Sequence, residues 1–165
     1  MRLIKTIIVD ASPLIVLLKS GLDFVLPAIF DRVLVTEAVR NEVLAGPPND
    51  KATLLFPSVS YLEIVSDELA DRGVDRYRLG IGETQTLLKA RLTPNSAVLI
   101  DDSAARKCAR DLSIEFLGTG RLLVTAKKRD LIDSFATAMD MVQDAGLWVG
   151  SDVRNLLTNM ADERD

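Results

Sequence analysis

Five carboxylates at four points of the chain could do chemistry together: Asp10, Glu42, Glu83 and the adjacent pair Asp101 and Asp102. Asp10 closes the apolar run Ile7-Ile8-Val9, and the pair closes Ala97-Val98-Leu99-Ile100. Glu42 falls about a turn into a helical stretch that follows a second short apolar run. Glu83 falls in the first turn of another, where the helix dipole favours a negative charge. Taken singly, Glu83 is also accounted for as a dipole partner and Glu42 as part of a solvated face. An acid that ends a fully apolar strand, as Asp10 does, has little structural reason to be there. In an open parallel sheet the carboxyl ends of the strands face one crevice, and ligands bind there. Carboxylates gathered at such a crevice suit magnesium or manganese, hard ions that take oxygen ligands. The chain has no histidine, so acids and not imidazoles must carry the chemistry.

The elements that must position these acids follow from periodicity and punctuation. A strand is expected over 4–9, then a helix in which Ser12 is the capping hydroxyl and Pro13 the first helical residue, ending at Gly21. A second helical stretch passes through Phe24, Val25, Ala28 and Ile29. Val33-Leu34-Val35 reads as a short buried strand, with Thr36 capping a helix over 37–44 and a plain loop over 46–50. The middle carries less pattern: a strand within 59–65, then a polar and charged crossing over 66–80, read as partly mobile. A helix opening at Gly82-Glu83, the strand ending at Ile100, a helix over 103–112, a strand over 114–117 and helices from Arg121, from about Leu131 and from Ser151 complete the chain. Strands that alternate with helices imply a parallel sheet covered on both faces.

Composition sets the bounds. The 165 residues suit one domain, expected over 1–165, and 48% apolar content suits a packed globular core. The lone Cys108 cannot form an internal disulfide, and no apolar run approaches the ~20 residues needed to span a bilayer. A cytoplasmic protein away from membranes is therefore expected. With 20 basic and 24 acidic residues the net charge is −4. That balance excludes a broadly cationic nucleic-acid binder but leaves room for a local basic patch working with metal ions.

The string Ile8-Val9-Asp10-Ala11-Ser12-Pro13-Leu14-Ile15 resembles the opening of PIN-domain proteins. Glu37-Ala38-Val39-Arg40-Asn41-Glu42-Val43, Gly82-Glu83-Thr84-Gln85-Thr86-Leu87-Leu88-Lys89-Ala90 and Leu99-Ile100-Asp101-Asp102-Ser103-Ala104-Ala105-Arg106-Lys107-Cys108-Ala109 follow in the family's order. Gly118-Thr119-Gly120-Arg121-Leu122-Leu123 and Lys127-Lys128-Arg129-Asp130-Leu131-Ile132 extend the match. It is similar in particular to a prokaryotic subfamily of PIN proteins related to toxin–antitoxin ribonucleases. The resemblance implies a three-layer α/β/α sandwich with a central, mainly parallel sheet. It also implies an endoribonuclease that cleaves RNA phosphodiester bonds with Mg2+ or Mn2+, as the toxin of a toxin–antitoxin pair, with a small antitoxin protein as partner and a homodimer as assembly. Asp10, Glu42 and Glu83 fall on the family's first three acids. For the fourth the family carries Thr-x-Asp. Here Ile100-Asp101-Asp102 puts Asp102 on the aspartate and Ile100 in place of the threonine, which leaves open whether Asp101 shares the ligand role or takes it over.

Ser12, Arg106 and Lys107 are the residues expected to meet RNA, with Arg110, Arg121, Lys127, Lys128 and Arg129 as further cations. A solvated helix face accounts for the basic residues equally well, and Ser12 serves as well for a cap. Cys108, flanked by apolar neighbours and with no histidine to activate it, reads as packing. Gly118-Thr119-Gly120 before a helix reads as a turn, or as a phosphate-binding helix start. Two other functions compete with the nuclease. One is a catalytically weak or inactive module of the same fold that binds RNA or protein. The other is a phospho-accepting signalling domain, which would want its acid pair after the first strand and not after a later one.

Overall fold

The computed structural model describes residues 4–69 and 72–162. Its five strands are β1 (Thr6–Val9), β2 (Arg32–Thr36), β3 (Leu62–Val65), β4 (Ser96–Leu99) and β5 (Phe116–Leu117). They form one parallel sheet in the order β3-β2-β1-β4-β5. The chain works outward from β1 to β3 on one side, then crosses back to start β4 on the other. The point where the order reverses, between β1 and β4, is where an open α/β sheet offers its crevice. Thr6 pairs with Ser96 and Val9 with Leu99 across it, so Asp10 and the acid pair leave the sheet at nearly the same level.

The helices are α1 (Ala11–Ser20), α2 (Val25–Ile29), α3 (Glu37–Leu44), α4 (Lys51–Leu55), α5 (Arg72–Asp75), α6 (Ile81–Leu92), α7 (Ser103–Asp111), α8 (Thr119–Lys128), α9 (Phe135–Asp144) and α10 (Ser151–Asp162). They cover both faces of the sheet, which is why the strands are apolar without alternation. Side chains along β1 still divide by strand period. Ile7 and Val9 enter one core with Leu14, Leu17, Leu122, Leu123 and Met139. Ile8 points the other way, with Val98, Ile100, Leu87, Ala105 and Cys108. The result is the expected α/β/α sandwich. Cys108 is fully buried in the second core, as its apolar neighbours implied.

Several boundaries move, each for a local reason. Asp10, not Ser12, occupies the N-cap of α1, and Ser12 and Pro13 lie inside the first turn. Proline is tolerated there because the first amides of a helix have no intrahelical partner. Gly21 ends the helix with φ 72° and donates its amide to the Leu17 and Leu18 carbonyls. β1 begins at Thr6 rather than at residue 4. The loop at 46–50 runs into α4, which Asp50 caps by accepting from the Ala52 amide at 3.1 Å. Only Leu62–Val65 of the expected middle strand pairs with the sheet, and only Phe116–Leu117 of the next. α8 starts two residues before Arg121, and α9 starts at Phe135, after a turn over 129–134.

The crossing after β3, expected to be partly mobile, carries side-chain fastenings at Asp67 and Glu68. Asp67 Oδ1 accepts from the Ala38 amide (3.0 Å) at the start of α3. The Gln85 side chain accepts from the Glu68 amide (2.7 Å) and donates to the Glu68 carbonyl (3.0 Å), and Lys89 pairs with the Glu68 carboxylate. The strap thus ties α3 to α6, the two helices that carry Glu42 and Glu83. Residues 70 and 71 of that stretch lie outside the described residues. Among the described residues no helix is long and apolar enough to cross a membrane.

Candidate active site at the carboxyl end of the sheet

Asp10 is the buried centre of the crevice, 3% exposed. Its amide donates to the Leu99 carbonyl (3.1 Å), which extends the β1–β4 ladder by one rung. Its side chain caps nothing, so its carboxylate is left facing the other acids. Burial raises its pKa from 3.8 to about 7. The Ala11 amide opposes that shift, and the charges of Glu83, Glu42 and Asp101 add to it.

Glu42 and Glu83 reach the same place from two helices packed side by side. Thr36 caps α3 by accepting from the Val39 amide at 3.3 Å, which fixes the helix start and so the height of Glu42. In α6, Glu83 Oε2 accepts from the Gly80 amide at 3.2 Å, satisfying one of the orphan donors at the helix start. Between them lies Gly82. A Cβ there would stand 2.7 Å from Glu42 Oε1 and 3.4 Å from Val39 Cγ2, so a glycine is what lets the Glu42 carboxylate lie against α6. Partial burial, and then the neighbouring charges of Asp102 and Glu42, push the Glu83 pKa up, while the Gly80 amide pulls it down.

The acid pair divides into two roles. Asp101, with its side chain 15% exposed, is fully engaged: Oδ1 accepts from the Thr119 amide (2.8 Å) and Oδ2 from the Thr119 hydroxyl (2.6 Å). Arg106 closes the ring, donating to Asp101 Oδ1 (3.3 Å) and to the Ile100 carbonyl (3.0 Å). The ring is tight enough that a Cβ on Gly118 would run into the Arg106 guanidinium. Asp102 is exposed and caps α7 through Oδ2, which accepts from the Ala105 amide at 2.8 Å. Its charge is one of those that raise the Glu83 pKa.

The five acids expected from the sequence lie at the carboxyl end of the sheet, each in electrostatic reach of at least one other. Asp10 is in electrostatic reach of Glu83, Glu42 and Asp101, and Glu83 in reach of Asp102 and Glu42. Ser12 is exposed two residues beyond Asp10. Arg106 turns inward onto Asp101, whereas Lys107 lies on the outer face of α7 against Asp111 (2.7 Å). Thr119 and Gly82 are the residues that motif reading passed over as site builders. The available signal was a hydroxyl at the start of the helix after β5, beside the acid-bearing strand. Among the described residues, no three acids or cysteines stand close enough, as their side chains lie, to hold a metal ion. The donor chemistry does fit a hard cation: uncompensated carboxylate oxygens, one carboxyl among them buried, its pKa raised first by that burial and then by the neighbouring charges.

A parallel sheet with carboxylates at its reversal point and no imidazole in the chain defines an α/β fold with an acid-based candidate site. The PIN-domain family model matches residues 6–163, and the chain belongs to that family. PIN domains are generally nucleases that use divalent metal ions, with RNA as the substrate the fold suggests. No curated protein matches the chain.

Proposed function

We propose that this protein is an endoribonuclease that hydrolyses RNA phosphodiester bonds with Mg2+ or Mn2+, working as one domain. The observation that carries the reading is that acids from three other segments, Glu42, Glu83 and Asp101, lie in electrostatic reach of the buried Asp10. Asp10, Glu42, Glu83 and Asp102 would hold the ion, with Asp101 acting through its ring with Thr119 and Arg106. A divalent ion bound there would neutralise charge on the scissile phosphate and lower the pKa of an attacking water. The chain's own part is placement. The Gly80 amide holds Glu83, the α7 cap holds Asp102, and the absence of a side chain at Gly82 admits Glu42. The order of motifs, like that of toxin–antitoxin ribonucleases, supports the further reading of a cytoplasmic toxin, dimeric and neutralised by a small antitoxin.

One observation favours a second reading, a PIN-fold module that binds RNA without cutting it: Asp101 is consumed by Thr119 and Arg106, and the remaining acids do not converge into a ready ligand set. Cleavage of total RNA by the purified protein, with Mg2+, Mn2+ or EDTA, separates the two. Metal-dependent cutting that falls at least a hundredfold in Asp10→Asn, with the melting temperature maintained, is expected. If Asp10→Asn cuts as well as wild type, or EDTA has no effect, the nuclease reading is lost. RNA binding without cutting would establish the module. Co-expression with the product of the adjacent gene tests the antitoxin.

A further inference from the structure

The cations of α7 do not act alike. Arg106 is spent inside the Asp101 ring, whereas Lys107 and Arg110 are exposed on the outer face of the helix, and Ala105, Cys108 and Ala109 face the core. Across from them lies the turn that follows α5, with Arg76 and Arg78 exposed and Tyr77 half-buried. Tyr77 is the hub. The Arg76 guanidinium sits 5.0 Å and the Lys107 ammonium 5.7 Å from its ring centroid. Its hydroxyl donates to Asp111 at 2.7 Å. Beside it, Arg110 stands 5.7 Å from the centroid of Phe116, at the sheet's edge.

We propose that the outer face of α7, together with the Arg76–Arg78 turn, is a track for the RNA phosphate backbone that leads away from the acid crevice. Four cations, Arg76, Arg78, Lys107 and Arg110, stand there with two acids, Asp75 at the end of α5 and Asp111 at the end of α7. That surface is net positive on a chain of net charge −4. Freely solvated lysines and arginines lose rotamer entropy when they grip a phosphate. Here the aromatic rings already hold three of the cations in place, so less is lost on binding. The helix also sets the direction. At ~1.5 Å per residue, Lys107 and Arg110 lie about 7.5 and about 12 Å along the axis from Asp102, the span of a few phosphates of a stacked strand at about 3.4 Å each. An acid crevice repels RNA by itself, and a cationic track at its rim supplies the compensating attraction. The inference rests on RNA being the substrate, as proposed above, but it needs no cleavage to be tested.

The test is the binding of a fluorescent oligouridine in EDTA, followed by anisotropy over a salt series. The triple variant Arg76→Gln, Lys107→Gln, Arg110→Gln should bind at least about tenfold more weakly at low salt, with a salt slope shallower by about 2, or about 0.7 for each lost phosphate contact. A control with the same charge loss away from α7, Arg32→Gln, Lys51→Gln, Arg154→Gln, should stay within about twofold of wild type. Asp111→Asn supplies a variant of opposite sign that removes no cation, and it should bind a few-fold more tightly. Equal weakening in the two triple variants would overturn the track, leaving only general charge. So would a wild type that does not bind oligouridine, or polyglutamate that competes as well as RNA, which would assign the surface to an acidic protein. If the selective loss is seen in a protein that never cuts RNA, the track stands and the nuclease reading falls. If cleavage is metal-dependent but the selective loss is absent, the reverse holds.

Discussion

Two neighbouring aspartates that look interchangeable in sequence are not so in the structure. Asp101 receives two bonds from Thr119 and one from Arg106, and it fastens the start of α8 to the end of β4. Asp102 has one oxygen on the α7 cap, and its charge reaches Glu83. Hydrogen bonds to a charged group are worth about 1.5–3 kcal/mol, so Asp101→Ala should lower the melting temperature by roughly 3–10 °C for a protein of this size. Asn caps a helix about as well as Asp, so Asp102→Asn should leave the melting temperature within about 2 °C. It should nonetheless reduce metal-dependent RNA cleavage by a hundredfold or more. Melts and cleavage rates on the two variants check this. A stable Asp101→Ala protein, or an Asp102→Asn protein with full activity, would reverse the assignment. The sequence placed both residues at the site but could not separate them, because the distinction lies in Thr119, whose partner is 18 positions away.

At the scale of elements, what was legible was whatever is written locally. The Thr36 cap, the fully apolar β1 and the helix opened by Glu83 need only near neighbours, and the structure has them where periodicity and capping put them. The fastening of 66–69 was not legible. Its polar residues resemble a solvated crossing until Gln85, Lys89 and the start of α3 are brought beside them by packing. α9 starts four residues later than the apolar pattern predicts, because Leu131 and Ile132 pack on the core from a turn and not from a helix. Gly82 shows the same limit. In sequence it is a poor helix residue; in space it is the gap that takes the Glu42 carboxylate. Gly82→Ala should therefore raise intrinsic helix stability, by up to about 1 kcal/mol, while displacing Glu42. The expected outcome is a variant that melts no lower than wild type and cuts RNA at least tenfold more slowly at limiting metal, with part of the loss recovered at high Mn2+. A variant as active as wild type at every metal concentration would show that the position of Glu42 does not matter.

At the scale of the whole molecule, the crevice links protonation to folding. Burial, and after it the charges of Glu83, Glu42 and Asp101, raise Asp10 from 3.8 to about 7, and burial raises Glu83 as well. A carboxyl whose folded pKa lies above its unfolded value keeps a proton in the folded state that the unfolded chain has already released. Stability is then lost as pH rises from about 4 to about 7, and the loss is complete above that. Acids held low by a cation act oppositely. Asp50 with Lys19, Glu63 with Arg32 and Asp111 with Lys107 add stability as pH rises through the ordinary carboxylate range, and their effect has ended by about pH 5. Between pH 5 and 8 the crevice is left to set the slope. At about 1.4 kcal/mol per pH unit, Asp10 alone gives a fall of roughly 2–3 kcal/mol across that interval, or about 4–12 °C in melting temperature. Wild type in EDTA should therefore melt lower at pH 8 than at pH 5, and Asp10→Asn, with no carboxyl to titrate there, should show a much flatter profile. Magnesium should flatten the wild-type profile too, because it binds the ionised crevice and stabilises the folded state most where the acids are deprotonated. Thermal melts of both proteins across pH, with and without magnesium, carry the test, and an Asp10→Asn slope as steep as wild type would detach Asp10 from the pH dependence of the fold.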